Sequence, residues 1–243
     1  MTAPRLLARY FTGGAPAFAR FAAVLASSAR THSPDWHVDV RSCTPPPCRS
    51  VARSAGYETN TQKLDIWAAE VAAAADGDRL LLIDVDTIVL RSLDPIWDET
   101  FDVAYTVRPT TGRMSLNAGV VFVRVSDRAR AFVERWRDVN RRMLTDAAYH
   151  QPWRARFGGI NQAALGAVLA ETRPPDVSLR PVPCLEWNCE DSTWKTFDPQ
   201  LTRILHVKSL LRRAILHGAY APRLRPLVAL WRQAEQRALK RPA

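Results

Sequence analysis

Arg79-Leu80-Leu81-Leu82-Ile83-Asp84-Val85-Asp86 decides the fold of this chain. The run from Leu80 to Ile83 is continuously apolar and short, which marks a strand buried on both faces. Two acids follow at i and i+2, so both carboxylates project to one side of the strand while Val85 faces the other. In an open parallel sheet, ligands collect at the carboxyl ends of the strands, where this pair lies. Two carboxylates there suit magnesium or manganese bridging a diphosphate. Asp76-Gly77-Asp78 has the same spacing but precedes the strand, on the opposite edge. An acid-x-acid pair is also a common solvated turn. Its place at the end of a buried strand is what sets the metal reading beside that one.

Working outward, Arg5–Phe11 reads as a first strand, followed by a Gly13-Gly14 turn and a helix over 15–31 carried by Phe18, Phe21, Ala22, Val24 and Leu25. His37–Arg41 alternates as a short strand before the prolines at 45–47. A helix over 59–75 places Leu64, Trp67, Ala68 and Val71 on one face. Beyond the acid pair the spacing predicts a short helix over 93–97 and strands over 101–106 and 116–125. Ser126 is the N-cap of a helix to about Met143, with Asp127 in its first turn. A helix over 158–170, strands over 177–182 and 203–207, and a terminal helix over 227–240 complete the series. The βαβαβ start places the chain in the α/β class, with an open, mostly parallel sheet and an irregular second half.

The chain has 243 residues, a net charge of +10, 47% apolar and 24% charged residues, which is ordinary for a globular protein. Ten glycines and 17 prolines exclude collagen-like and low-complexity classes. No run approaches the roughly 18 apolar residues of a membrane span. Met1–Phe11 is threaded with arginine and lacks a signal peptide's apolar block, so the expectation is a cytoplasmic protein. The charge is uneven: ten Lys/Arg from Arg203 onward face one acid, Glu235. A basic end on a nearly neutral body points to an anionic ligand, a membrane surface or nucleic acid, or to a solvated helix with no partner. In the last helix Leu227, Leu230, Trp231, Ala234 and Ala238 form an apolar stripe, with Arg232, Arg237, Lys240 and Arg241 off it. That pattern suits either packing on the core or docking on anionic lipid at the inner membrane face. Cys43/Cys48 and Cys184/Cys189 have gaps of four residues, a weak zinc pattern, and reduced thiols are expected.

Lys63, L-L-I-D-V-D at 81–86, L-N-A-G-V-V-F-V from Leu116, G-G-I-N-Q-A-A-L from Gly158, L-E-W-N from Leu185 and I-L-H-V-K from Ile204 form an ordered set. Together they resemble the GT-A fold nucleotide-diphospho-sugar glycosyltransferases, and are most similar to family eight, the glycogenin and galactosyltransferase-like group. The resemblance runs from about Arg5 to Arg213. It implies an α/β GT-A domain over 1–210, with 211–243 a basic helical extension packed on or beside it. It further implies that Asp84, Asp86 and His206 bind manganese or magnesium, with Asp84 also near the ribose. Tyr10, Thr12, Lys63, Asn117, Gly119, Lys208 and Arg212 would contact the donor. Asp86, Asn161 and Gln162 would act in catalysis, and Trp187 and Asn188 at the acceptor.

The implied reaction moves a sugar from a nucleotide diphosphate sugar, a UDP-sugar by resemblance, to a hydroxyl of a glycan or lipid-linked glycan, with retention of configuration. An inverting enzyme would instead need a carboxylate by the acceptor, for which Glu186, Glu190 and Asp191 are available. Trp187 and Trp194 are candidates to stack on acceptor sugars, although tryptophans are also common core residues. Three positions depart from the family pattern: Asn161 replaces an Asp, and Ser209 and Arg212 stand where Gly and Lys follow the late His. Asn161 cannot ionise and so cannot be a nucleophile or base. Arg212 keeps the charge with a forked geometry. A non-catalytic nucleotide-sugar-binding relative is one alternative. A nucleotidyltransferase is less well matched, because Gly13-Gly14 lacks the basic residues its loop would need. A basic nucleic-acid-binding protein is another rival, yet no finger or RNP motif is present and no nucleic-acid partner is expected.

Overall fold

A computed structural model describes residues 2–11, 17–44, 55–110, 112–218 and 222–240. Thr12, the Gly13-Gly14 turn, Pro45–Pro47, Cys48 and Arg241 lie outside them. Strands β1 (Arg5–Phe11), β2 (His37–Cys43), β3 (Arg79–Ile83), β5 (Val103–Val107), β6 (Leu116–Arg124) and β7 (Leu179–Pro183) form one sheet in the order β2-β1-β3-β6-β5-β7. β4 (Thr87–Val89) and β8 (Ile204–His206) form a separate antiparallel pair. In the large sheet β2, β1 and β3 are parallel, β6 runs against β3 and β5, and β7 is parallel to β5. Five strands therefore share one direction, giving the mostly parallel sheet expected.

The apolar run of β3 divides by parity. Leu80 and Leu82 pack with Leu64, Trp67 and Val71 of α2 (Ala55–Ala73) and Phe132 and Trp136 of α3 (Asp127–Thr145). Leu81 and Ile83 pack on the other face with Leu25 and Ala29 of α1 (Ala17–His32), beside Trp97, Phe122 and Trp187. Helices thus cover both faces, as a buried parallel strand requires. Ser126 caps α3 as expected, its hydroxyl accepting from the Ala129 N–H.

Four elements escaped the sequence pattern. β4 and α6 (Cys184–Trp187) are too short to show a period. α4 (Ala147–Phe157) carries Pro152 inside it, against helix propensity. α7 (Ser209–His217) begins without a side-chain cap, so no start signal marks it. The helix expected over 158–170 is α5 (Asn161–Ala167), continued by a π-helical turn over Val168–Thr172.

The expected boundary at 210/211 falls inside α7. α7 and α8 (Arg225–Lys240) share a third apolar cluster with α1, in which Leu227, Val228 and Trp231 meet Phe21 and Val24. Trp231 stands edge-on to Phe21 with centroids 4.8 Å apart. The stripe of the terminal helix is therefore spent on the fold and does not form a free lipid-facing surface, while Arg232, Arg237 and Lys240 stay exposed. No described helix is long and apolar enough to cross a membrane.

Candidate active site at the carboxyl edge of the sheet

β1 is followed in sequence by β2 on one side, whereas β3 pairs on the other, so the strand order reverses between β1 and β3. A crevice opens at such a reversal, outside the carboxyl ends of the strands. Asp84 leaves β3 there and Asp86 precedes β4. The β4–β8 ladder pairs Thr87 with His206, and the Val207 N–H donates to the Asp86 carbonyl at 2.7 Å. That register carries a histidine from late in the chain beside the acid pair. Ligand atoms of Asp84, Asp86 and His206 lie within 4.8 Å of one another. The His206 Nε2 atom is 3.7 Å from Asp84 and 3.4 Å from Asp86. Asp76 and Asp78, by contrast, are at the amino edge, where Asp76 meets Arg130 and Asp78 meets Thr2.

The chemistry of this donor set fits a divalent cation, and the network behind it strengthens the fit. The Thr106 hydroxyl donates to the Asn117 carbonyl at 2.7 Å, so its lone pairs face the Asn188 amide N–H, 2.9 Å away. That orients the Asn188 oxygen toward His206 Nδ1 at 2.9 Å, which must then carry the proton. Nε2 is the ring nitrogen that faces the carboxylates. Fixing the tautomer through the second ring nitrogen is how metal-ligating histidines are commonly held. Burial alone would raise the Asp86 carboxyl, but His206 and Arg212 override it and hold it well below the usual carboxylate range.

β6 supplies the neighbouring wall. The Asp84 N–H donates to the Gly119 carbonyl at 2.8 Å. A Cβ on Gly119 would lie 2.7 Å from both Asp84 Oδ2 and His206 Cε1. The glycine thus makes room for the side chains of the candidate metal site. Its N–H donates to Asn117 Oδ1 at 2.9 Å. Three cations rim the cleft: Lys63 contacts Asp84, Arg212 contacts Asp86, and Lys208 Nζ is 2.8 Å from Glu190. The cleft, about 270 Å³, is lined by Lys63, Asp84, Asn117, Gly119, Asn161, Gln162, His206, Lys208 and Arg212. Nine expected site residues thus meet in one place.

Several expectations change. Trp187 is buried, edge-on to Phe122 and capped by Arg203, while Asn188 is fully buried beneath His206. Neither side chain is open to an acceptor, and Asn188 acts through the histidine. Asn161 lines the cleft, but its amide N–H donates to the Asn60 carbonyl at 3.0 Å and its oxygen accepts from Asn140 at 2.6 Å. Each end of the amide thus has one partner in the cleft floor, and the side chain still lines the cleft. The Gln162 amide donates to the Phe157 carbonyl. Tyr10 is the penultimate residue of β1 and does not line the cleft.

Of the three carboxylates considered for inversion, Glu186 is paired with Arg203 at 2.9 Å and Glu190 is fully buried. Asp191 alone of the three is open to solvent. Burial and the adjacent Glu190 push its carboxyl up. Cys184 and Cys189 are free, buried thiols whose pKa values burial raises to about 12 and about 11. The sequence did not reveal the Thr106–Asn188 relay or the Arg108–Glu190 pair, because nothing in the local pattern signals either.

Ser209 stands at the position where the resemblance leads to an expectation of glycine. Its φ is 47°, in the left-handed region. The backbone keeps the conformation that favours glycine although the residue is serine.

No family model matches this chain, and no curated protein matches it in sequence. Solved structures do. The glycosyltransferase GlyE of Streptococcus pneumoniae TIGR4 superposes with a TM-score of 0.58 at 15% identity over 99% of this chain. A glycosyltransferase involved in glycosylation of the major capsid of PBCV-1 gives 0.56 at 12% identity, covering 87% of this chain and 96% of its own. The galactosyltransferase LgtC, solved with donor and acceptor sugar analogs, gives 0.54 at 13% identity, covering 96% and 95%. The chain has the GT-A fold. It spans 64% of the length of GlyE.

Proposed function

We propose that this protein is a glycosyltransferase that takes its sugar from a nucleotide diphosphate donor, a UDP-sugar in the first instance, and passes it to a hydroxyl acceptor. The observation that carries the reading is the Asp84–Asp86–His206 cluster at the carboxyl edge of a GT-A sheet, ringed by Lys63, Lys208 and Arg212. These three ligands would hold manganese or magnesium, and the imidazole favours manganese. When bound, the ion supplies Lewis-acid stabilisation of the leaving diphosphate, worth several kcal/mol.

The chain's own groups then do the positioning. Lys63, Lys208 and Arg212 offer positive charge where the leaving group gains negative charge, in a pre-formed site that needs little reorganisation. Asn117, Gly119 and Gln162 border the donor sugar. The bond from the anomeric carbon to the phosphate oxygen breaks, its electron pair leaving with the diphosphate. The acceptor oxygen forms the new bond, and its proton passes to a phosphate oxygen. Among the described residues lining the cleft, Asp84 is the sole carboxylate, and it belongs to the metal set. With no further carboxylate in the cleft itself, retention is the favoured course, and Asp191, which lines the neighbouring groove, is the base that inversion would use.

The acceptor lies in the neighbouring groove, about 730 Å³, where Trp194, Phe197 and Leu210 supply an apolar wall and Lys195 and Arg223 positive charge. Such a wall suits a sugar face or the amphipathic carrier of a lipid-linked glycan, and the exposed basic face of α8 suits contact with anionic lipid.

The test is transfer and hydrolysis across a panel of nucleotide sugars with manganese, with chelator, and with Asp86→Ala. Turnover of one donor that requires both the metal and Asp86 supports the reading, and the anomeric configuration of the product settles retention. An inverted product would assign the base to Asp191. Binding without turnover under any acceptor would make the chain a nucleotide-sugar-binding relative.

A further inference from the structure

Glu190 is a fully buried carboxylate that the proposed reaction does not use. Arg108, also buried, grips it with two bonds, Nε to Oε1 at 2.9 Å and Nη2 to Oε2 at 3.0 Å. Ser192 contacts the same carboxylate, and Asp191 adjoins it. A buried ion pair of this kind contributes little net stability, because desolvation offsets the attraction. What the planar guanidinium fork does supply is a single orientation of the carboxylate.

Glu190 Oε2 also takes the Lys208 ammonium at 2.8 Å. Lys208 lines the donor cleft. The closer of its two anchors is thus Glu190, with Asp191 Oδ1 at 3.5 Å, and neither belongs to the Asp84–Asp86–His206 cluster, unlike the anchors of Lys63 and Arg212, which rest on Asp84 and Asp86. Arg108 has a third attachment, Nη1 donating to the Met114 carbonyl at 2.6 Å. The Met114 N–H in turn donates to Arg156, at the end of α4, and the Met114 thioether packs against Gly158. Gly159 through Gln162, just beyond, form another part of the cleft wall. One buried carboxylate and one guanidinium thus link the wall bearing Lys208 to the wall bearing Gln162.

We propose that Arg108 and Glu190 are positioning residues, a buried brace that holds the Lys208 ammonium in place for the donor diphosphate whether or not metal is bound. This rests on the reading of the cleft as a nucleotide diphosphate site. Without the brace, the four-carbon lysine stem regains rotamers that binding must freeze again.

The test is a double-mutant cycle on Glu190→Gln and Lys208→Met, read by calorimetric titration of UDP, GDP and ADP with manganese and with chelator. The expected result is a roughly tenfold loss of nucleoside diphosphate affinity for each single variant, the scale of one charge-assisted hydrogen bond. The double variant should bind no worse than Lys208→Met, the Lys208→Met loss should persist in chelator, and affinity for manganese alone should stay within about twofold. Additive losses, or a Glu190→Gln variant that binds as the parent does, overturn the brace and leave the donor reading intact. A parent chain that binds none of the three nucleotides overturns both. Should Glu190→Gln fail to fold, Glu190→Asp keeps the charge, shortens the reach to Lys208, and enters the same cycle.

Discussion

Gly119→Ala separates the metal site from the fold with a single methyl group. The added Cβ would lie 2.7 Å from Asp84 Oδ2 and from His206 Cε1, and 3.0 Å from Asn117 Oδ1. Ordinary contact begins near 3.4 Å, so the two ligand side chains must each retreat by roughly 0.7 Å. Both are ends of side chains rather than backbone, and the Gly119 φ is not in the left-handed region, so strand β6 itself tolerates alanine. The strain therefore falls on the ligand geometry. Metal–ligand distances tolerate only about ±0.2 Å, and a displacement of this size should weaken manganese binding by roughly 10- to 100-fold, about 1.4 to 2.7 kcal/mol. Calorimetric titration of manganese, with thermal unfolding of the metal-free chain as the control for folding, measures both sides. A variant that binds manganese within twofold of the parent would refute the reasoning, as would one that loses affinity only because it unfolds.

Asn188→Ala removes the acceptor that fixes the His206 tautomer, and manganese affinity should fall about 10- to 100-fold in the same titration, although Asn188 itself supplies no ligand atom. Ser209→Gly relieves a left-handed serine and should raise stability by about 1 kcal/mol, or roughly 2–4 °C in melting temperature. The Glu190 carboxyl is held low in the folded state by Asp191, Lys208 and Arg108 against the opposing effect of burial. A group of that kind stabilises the fold above its unfolded pKa, about 4.3, and the contribution is lost as pH falls through the lower folded value. Urea midpoints from pH 6 to pH 3 should therefore fall more steeply for the parent chain than for Glu190→Gln.

The sheet and much of the site were legible because their signals are local. β3 declares itself by an unbroken apolar run, and the acids two residues apart at its end share a side by strand geometry alone. Ser126 and Asp127 announce α3. His206 came from an ordered set of motifs, since nothing within its own strand of three residues separates a ligand from a core histidine. What was lost depends on long-range register. β4 is three residues that become a strand only by pairing with β8, and that pairing delivers His206 to Asp86. Asn188 reads as a polar residue after a tryptophan, compatible with an acceptor contact, until Thr106 and His206 are found on either side of it. The setting of Asn161 was hidden for the same reason: its two partners, Asn60 and Asn140, come from separate helices. Arg108 and Glu190 are 82 residues apart, and no local pattern ties a guanidinium to a carboxylate at that separation.

The most direct test of the account is anomalous diffraction at the manganese edge from crystals soaked with manganese and the nucleoside diphosphate that binds best. The account predicts one peak ligated by Asp84, Asp86 and His206 Nε2, with diphosphate oxygens completing the shell and Lys208 still on Glu190. A nucleotide bound elsewhere, or a cleft that stays free of manganese while the nucleotide binds, would contradict it.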